Sequence, residues 1–429
     1  MSYTPQELTA VLQKYKAGKQ SLERRVIAAE NWWKLRNRFE EDKRPCASSA
    51  GDFRAVSGWL HNVIVSKHAD AMEAYPEPVI LPREPDDRAE AELLSAVVPC
   101  ILEQNAFERT WSDAMWQKLK TGTAAYRVGW DPDKLGGLGD ISIERVDLLN
   151  LFWEPGIADI QRSKFVFCTH LEDNDELEEE FPQLRGRLRG NPFTATRFLY
   201  DDAVSLDGKS TVVEAYYRRK RAGRTVLHYV KYVGETVLYS TEEDTPQASP
   251  FRGKCPVRTL GDGGAKPGQA PSPDPAALSV SLSLDSSPEG GAKNDPPGLY
   301  THGRYPFVLD PLFPVEGSPC GYGFVDLCHN NQTAIDLMRS AIIKNTVVGA
   351  TPRYFQRIDG SVNEEEFADL GRALVHVSGN LGEDSLRQIG FSPLSGVYMD
   401  VLNSSIQELR ETSGNTETST GNISSGVTA

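Results

Sequence analysis

Six cysteines and seven histidines are the side chains here best suited to hold a soft metal or to attack a substrate. Only Cys328-His329 and Cys168-Thr169-His170 stand close together. A zinc site takes about four ligands at tetrahedral spacing, and neither pair has a second half. No C-x-x-C occurs among Cys46, Cys100, Cys168, Cys255, Cys320 and Cys328, so free, buried structural thiols are expected. The phosphate-cradling G-x-x-x-x-G-K-[ST] loop, the G-x-S-x-G elbow and the H-E-x-x-H pair are all missing. Gly136-Gly137-Leu138-Gly139 and Gly317 to Gly323 are glycine-rich, but they lack the strand–turn–helix setting of a dinucleotide fingerprint and read as turns.

Acidic and basic clusters get the same treatment. Glu172-Asp173-Asn174-Asp175-Glu176 lacks the glycine and terminal glutamate of a calcium loop and reads as a charged helix start. Arg185, Arg187 and Arg189 form one basic cluster, and Arg218, Arg219, Lys220, Arg221 and Arg224 another. They could touch phosphates, yet they lack interleaved aromatics and read first as solvated faces. An enzymatic reading would need His302 or His329 beside buried carboxylates in a concave pocket. No spacing indicates one, so no catalytic, cofactor or metal residue is assigned.

The bulk numbers frame these motifs. The chain has 429 residues with 46 Lys+Arg against 60 Asp+Glu, a net charge of −14. That balance argues against a broad nucleic-acid grip, although not against DNA sliding past. The length suits roughly two to four folding units. No apolar run is long enough for a membrane span, and the first residues lack the regions of a secretory signal.

Thr4-Pro5-Gln6-Glu7 is a capping box opening one long helix through Leu12, Leu22 and Trp33. A second helix carries Val56 to Met72, and a third starts near Asp86-Asp87, where Pro99 should kink or break it. The pattern resumes from Phe107 to a Gly122 cap. Residues 124–130 and 140–146 read as a hairpin, and 211–220, 225–232 and 235–240 as a three-stranded meander. From 243 to 299 Pro, Gly, Ser and Asp dominate, and this stretch reads as a disordered insertion. A long helix follows Gly321-Tyr322-Gly323 and stops near Gly349 and Pro352. Next come strand 353–357, acidic helix 363–371 and strand 373–378. A last helix runs from Ser392-Pro393 to Gly414, and a Ser/Thr/Gly/Asn loop closes the sequence. The class is α+β.

From Tyr305 the chain resembles a tailed-bacteriophage portal protein. The resemblance rests on Tyr305-Pro306-Phe307, Asp310 to Gly323, Gln332-Thr333-Ala334-Ile335-Asp336 and Lys344-Asn345. It continues through Asp359 to Phe367, Gly379 to Ser385, Glu408 to Asn415 and Ser425 to Ala429. Upstream, Leu119 to Ala124 and Val128 to Pro132 add to it. The order and spacing of these motifs carry the likeness.

The resemblance implies a portal fold with an α/β wing, a helical stem and a small α/β clip. Residues 1–242 would be the wing, 300–324 the wing-to-stem connection, 325–350 and 392–412 the stem helices, and 351–391 the clip. Residues 413–429 would be the tunnel loop, with the following helix and crown of the family absent, so that the chain is C-terminally truncated. It further implies a non-enzymatic dodecameric ring at a capsid vertex of the virion, assembled in the host bacterial cytoplasm. Double-stranded DNA would pass through it during packaging and ejection, and a prophage origin fits the truncation. Its partners would be the terminase large subunit, tail adaptor, major capsid and scaffolding proteins, with no cofactor and no membrane. Arg339, Lys344, Asn415, Thr416, Thr418, Ser419 and Asn422 would face DNA, and Arg357, Glu364, Glu365 and Glu366 would dock partners in the clip. Residues 321–414 carry 7 Lys+Arg against 12 Asp+Glu, a weak grip that suits passage. A different head–tail connector, or another minor capsid protein, remains the alternative.

Overall fold

A computed structural model describes residues 3–35, 55–73, 75–132, 134–188, 208–221, 224–242, 299–300, 302–350, 354–356, 363–368, 376, 386–388 and 395–415. These fall into two compact units. The first comprises Met1–Ile27 and Asp70–Gly323, and the second Ala28–Ala69 and Phe324–Ala429. The expected insertion at 243–299 lies outside the described residues apart from Leu299. The expected strand at 373–378 does too, apart from His376.

The first unit begins with α1 (Pro5–Gly18), whose capping box is formed as the sequence indicates. The single long helix expected from 4 to 33 is two, because Lys19 separates α1 from α2 (Gln20–Trp33). The cause is tertiary: a Cβ on Gly18 would stand 2.4 Å from the Pro155 ring. Lys19 also turns inward, its Nζ donating to the carbonyls of Leu148 and, at 2.6 Å, Leu151. Helix α3 (Trp59–Glu73) crosses the division between the units. Helix α4 (Arg88–Gln104) runs through Pro99 without a break, correcting the expectation from proline's missing donor. Helix α5 (Phe107–Thr121) ends at Gly122 in the left-handed region, as expected of a glycine cap.

Strands β1 (Thr123–Asp131) and β2 (Asp140–Arg145) form the expected hairpin across the single turn α6 (Lys134–Gly137). Strand β8 (Phe307–Pro311) adds to the other edge of β1, giving the order β2-β1-β8. A five-stranded antiparallel sheet runs β3 (Leu151–Trp153), β4 (Phe165–Asp173), β5 (Lys209–Arg221), β6 (Arg224–Val233) and β7 (Thr236–Ser240). The last three are the expected meander, while β3 and β4 had no alternating sequence signal. Period-two geometry sends neighbouring residues to opposite faces. Phe165, Phe167, Ala215, Tyr217 and Tyr232 therefore pack with Leu8, Leu12 and Tyr15 of α1. Val166, Cys168, Tyr216 and Tyr229 pack on the other face with Tyr305 and Phe307. Both faces of the sheet are core. Helix α7 (Asn174–Glu180) follows β4, so the acidic cluster is a helix start.

The second unit is largely helical. Helix α8 (Phe324–Ala350) and α10 (Val397–Ser413) make its most extensive packing among the described residues. Between them in sequence lie β9 (Tyr354–Gln356), α9 (Glu364–Ala368) and β10 (Leu386–Gln388), with β9 and β10 paired antiparallel. Residues 28–69 belonged to the expected wing, yet they cluster with α8 and α10. The linear pattern carries no sign of that return. No helix among the described residues is long and apolar enough to cross a membrane.

Candidate functional site

The residues with chemistry sort into a closed network in the first unit and open helix surfaces in the second. Glu214 on β5 is 5% exposed, an isolated acid on a strand otherwise apolar along its inner face. Arg127 of β1 reaches its Oε2 at 3.0 Å, the Tyr216 hydroxyl donates to Oε2 at 3.0 Å, and the Tyr229 hydroxyl donates to Oε1 at 3.2 Å. Burying a charge is tolerable only with such pairing. The electrostatics follow: the Tyr216 oxygen and Glu214 hold the Arg127 pKa above its usual range, against the opposing effect of burial. Burial, reinforced by Glu214, drives Tyr216 and Tyr229 well upward. Cys168 nearby is pushed by burial up to about 12, an inert thiol. This network is closed to substrate and is structural.

The other candidates resolve in the same direction. Cys320 and Cys328 are buried, and burial raises both thiols, Cys328 to about 11, whereas Cys100 is exposed; Cys46 and Cys255 lie outside the described residues. No three metal-ligating side chains converge among the described residues. His302 stacks on Tyr300, and its Nδ1 accepts from the Arg304 amide. His329 turns its Nδ1–H back to its own helix, 3.0 Å from the Asp326 carbonyl. Arg218 is only partly a solvated face: its guanidinium bonds the Gln161 side chain at 2.7 Å and lies 4.2 Å from the Tyr305 ring. Arg219 likewise pairs with Glu242 at 3.2 Å.

The entry to α8 is tightly set within the first unit. A Cβ on Gly323 would stand 2.6 Å from the Lys120 carbonyl oxygen and 2.8 Å from the Gly122 nitrogen. Only glycine permits that approach of two backbones. The Gly321-Tyr322-Gly323 motif is therefore a packing device against the end of α5, which sequence reading saw only as a turn.

Helix α8 then spans about 40 Å at 1.5 Å per residue. Gln332, Asp336 and Ser340 recur every four residues along one face of it. Asp336 Oδ1 accepts from the Ser57 amide at 2.9 Å and from the Ser57 hydroxyl. Gln332 accepts from the Leu60 amide at 3.0 Å and donates to the Ser57 carbonyl at 2.8 Å. Ser340 Oγ accepts from the Ala55 amide at 2.8 Å. Side chains of α8 thus satisfy the start of α3, where orphan amides need partners. The run Gln332 to Asp336 was visible as a motif; the spacing of Gln332, Asp336 and Ser340 was the overlooked signal.

The residues expected to face DNA divide. Arg339 and Lys344 are both exposed on α8, five positions and so about 140° apart around its axis. Asn415 is buried at 7% exposure instead, which removes it from a DNA-facing set. Gly414 in the left-handed region turns the chain back, and the Asn415 amide donates to the Arg410 carbonyl at 3.0 Å. Thr416, Thr418, Ser419 and Asn422 lie outside the described residues. Of the clip candidates, Glu365 is exposed, and Glu366 pairs with His376 Nδ1 at 2.8 Å. Glu364 starts α9, and Arg357 is outside the described residues. Leu337 and Val347 on α8, and Val397, Tyr398, Met399 and Val401 on α10, leave apolar surface exposed.

No curated protein matches the chain. A family model described as phage P22-like portal protein matches residues 69–254, upstream of the stretch in which most of the resembling motifs lie. Residues 69–254 are thus similar to phage P22-like portal protein, and the chain as a whole has an α+β fold.

Proposed function

We propose that this chain is the structural subunit of a phage portal: a ring of copies at a capsid vertex through which double-stranded DNA is packaged and ejected. The exposed apolar surface on α8 and α10 carries the ring reading, because a helix must bury such a face on something, and in a homo-oligomer that is a neighbour. Residues 1–27 and 70–242 then serve as wing, 300–324 as connection, α8 and α10 with residues 28–69 beside them as stem, 351–391 as clip and 413–429 as tunnel loop. The acidic balance of 321–414 leaves few phosphate contacts, and each omitted contact removes salt-dependent grip. Arg339, Lys344 and the hydroxyl-rich Thr416, Thr418, Ser419 and Asn422 are the DNA-facing set. Arg357, Glu364, Glu365 and Glu366 meet the terminase or the tail adaptor. The ring does no chemistry of its own and works as part of the virion.

Native mass spectrometry with negative-stain imaging of the full chain tests this. Closed rings with a central hole, of which a dodecamer is expected, support it. A monomer across the accessible concentration range overturns it.

A further inference from the structure

Helix α4 is thinly covered by its own unit. Ala91 is the only one of its 17 residues that is buried. Leu93, Leu94 and Val97 are 50%, 46% and 40% exposed, and in the segment leading into the helix Val79 and Leu81 are 76% and 77% exposed. This apolar surface lies in an acidic arm: residues 77–104 hold seven carboxylates against two arginines, a balance of −5.

A surface of opposite charge lies elsewhere on the same unit. The β5–β6 hairpin carries Arg218, Arg219, Lys220, Arg221 and Arg224 with no carboxylate between them, a balance of +5 for the hairpin itself, one charge of which Glu242 offsets through its pair with Arg219. Lys220 pairs in register with Thr225, and the Thr225 carbonyl oxygen stands 2.9 Å from where a Cβ on Gly303 would be. That contact brings exposed Arg304 alongside the hairpin. Arg218, Thr225 and Arg304 line a groove of about 1180 Å³, whose walls add the exposed apolar Val128, Val308 and Val315. Two carboxylates, Asp159 and Glu316, also line it, and Asp159 is engaged by the Gln161 amide. The local field is nonetheless positive at His302, whose pKa is lowered by burial and then by Arg304 and Arg218.

We propose that the α4 arm of one copy docks on the basic hairpin and groove of the next copy. Each chain supplies both halves, a different patch on either side, and a heterologous contact of that kind closes into a ring when its rotation permits. The proposal rests on the ring reading above and adds the surfaces that join neighbours. Their opposite balances of −5 and +5 give the contact its direction, because like charges brought together at an interface are strongly disfavoured.

The test reverses each half in the full chain. Variant one carries Glu77→Lys, Glu90→Lys, Glu92→Lys and Glu103→Lys, all exposed, which takes the arm from −5 to +3. Variant two carries Lys220→Glu, Arg221→Glu, Arg224→Glu and Arg304→Glu, which takes the hairpin from +5 to −1 and reverses the neighbouring Arg304 as well. Sedimentation velocity should show each variant alone assembling at concentrations raised more than about tenfold, with unchanged thermal unfolding of the monomer. An equimolar mixture should recover assembly, since every arm then meets a hairpin of opposite sign in alternating copies. Rings that form equally well from either variant alone overturn the arm-and-groove contact while leaving the ring reading intact. Loss of assembly without recovery in the mixture also overturns it. Wild-type chain that never assembles overturns both readings.

Discussion

The two units treat their polar and apolar groups in opposite ways. In the sheet unit both faces of the five-stranded sheet are covered, and even a buried carboxylate, Glu214, is held by Arg127, Tyr216 and Tyr229. In the helical unit the buried polar groups Gln332, Asp336 and Ser57 bind one another, while apolar residues of α8 and α10 stay at the surface. The core of the five-stranded sheet is closed by its own chain, although helix α4 of that unit keeps apolar side chains at the surface. In the second unit the exposed apolar side chains lie on the two helices that pack together, and under the ring reading those side chains meet a neighbouring copy.

The strongest way to break this contrast is to open the closed network. Glu214→Ala leaves the half-buried Arg127 without its counter-charge and the buried Tyr216 and Tyr229 hydroxyls without their acceptor, and should cost about 3–5 kcal/mol of stability in urea unfolding followed by tyrosine fluorescence. A cost below about 1 kcal/mol would show that the network is not what completes the sheet unit.

Asp336→Ala asks the same question of the helical unit. The Ser57 amide and hydroxyl lose their acceptor, and a loss of about 1–3 kcal/mol is expected by circular dichroism. Asp336→Asn keeps an acceptor oxygen and should recover part of the loss.

A smaller effect sharpens the contrast through pH. Burial lowers the Lys19 pKa from 10.5 to about 8 in the folded chain. Between these values the unfolded chain holds a proton that the folded chain has released, so stability rises with pH across that window. The buried tyrosines act oppositely above their ordinary value of 10, where the unfolded chain ionises first. Unfolding measured from pH 8 towards 10 should therefore show a gain in wild type that Lys19→Met lacks. Parallel profiles would count against a buried lysine.

The smallest effect on stability comes from the open faces. Leu337→Ser and Met399→Ser should change monomer stability by less than about 0.5 kcal/mol, since both side chains are half-exposed or more. Both should weaken assembly in native mass spectrometry. A large loss of monomer stability with assembly intact would turn these faces into internal core.

The sequence by itself determined the elements whose signals are local. The Thr4 capping box, the Gly122 and Gly414 caps, the β1–β2 hairpin, the meander and the helix after Gly323 all follow from side-chain or backbone preferences within a few residues. Arg339 and Lys344, singled out by the resemblance as DNA-facing, are exposed on α8. Tertiary structure alone decided what depends on contacts across hundreds of positions. The break at Lys19 needs Pro155 and two carbonyls near residue 150, and β3 and β4 read as no strand because their two buried faces erase alternation. The return of residues 28–69 to α8 rests on Ser57 meeting Asp336, a bond across 279 positions. Glu214 and Asp336 look like any other carboxylates in the chain, since burial and partners are properties of the fold and a residue's type fixes neither.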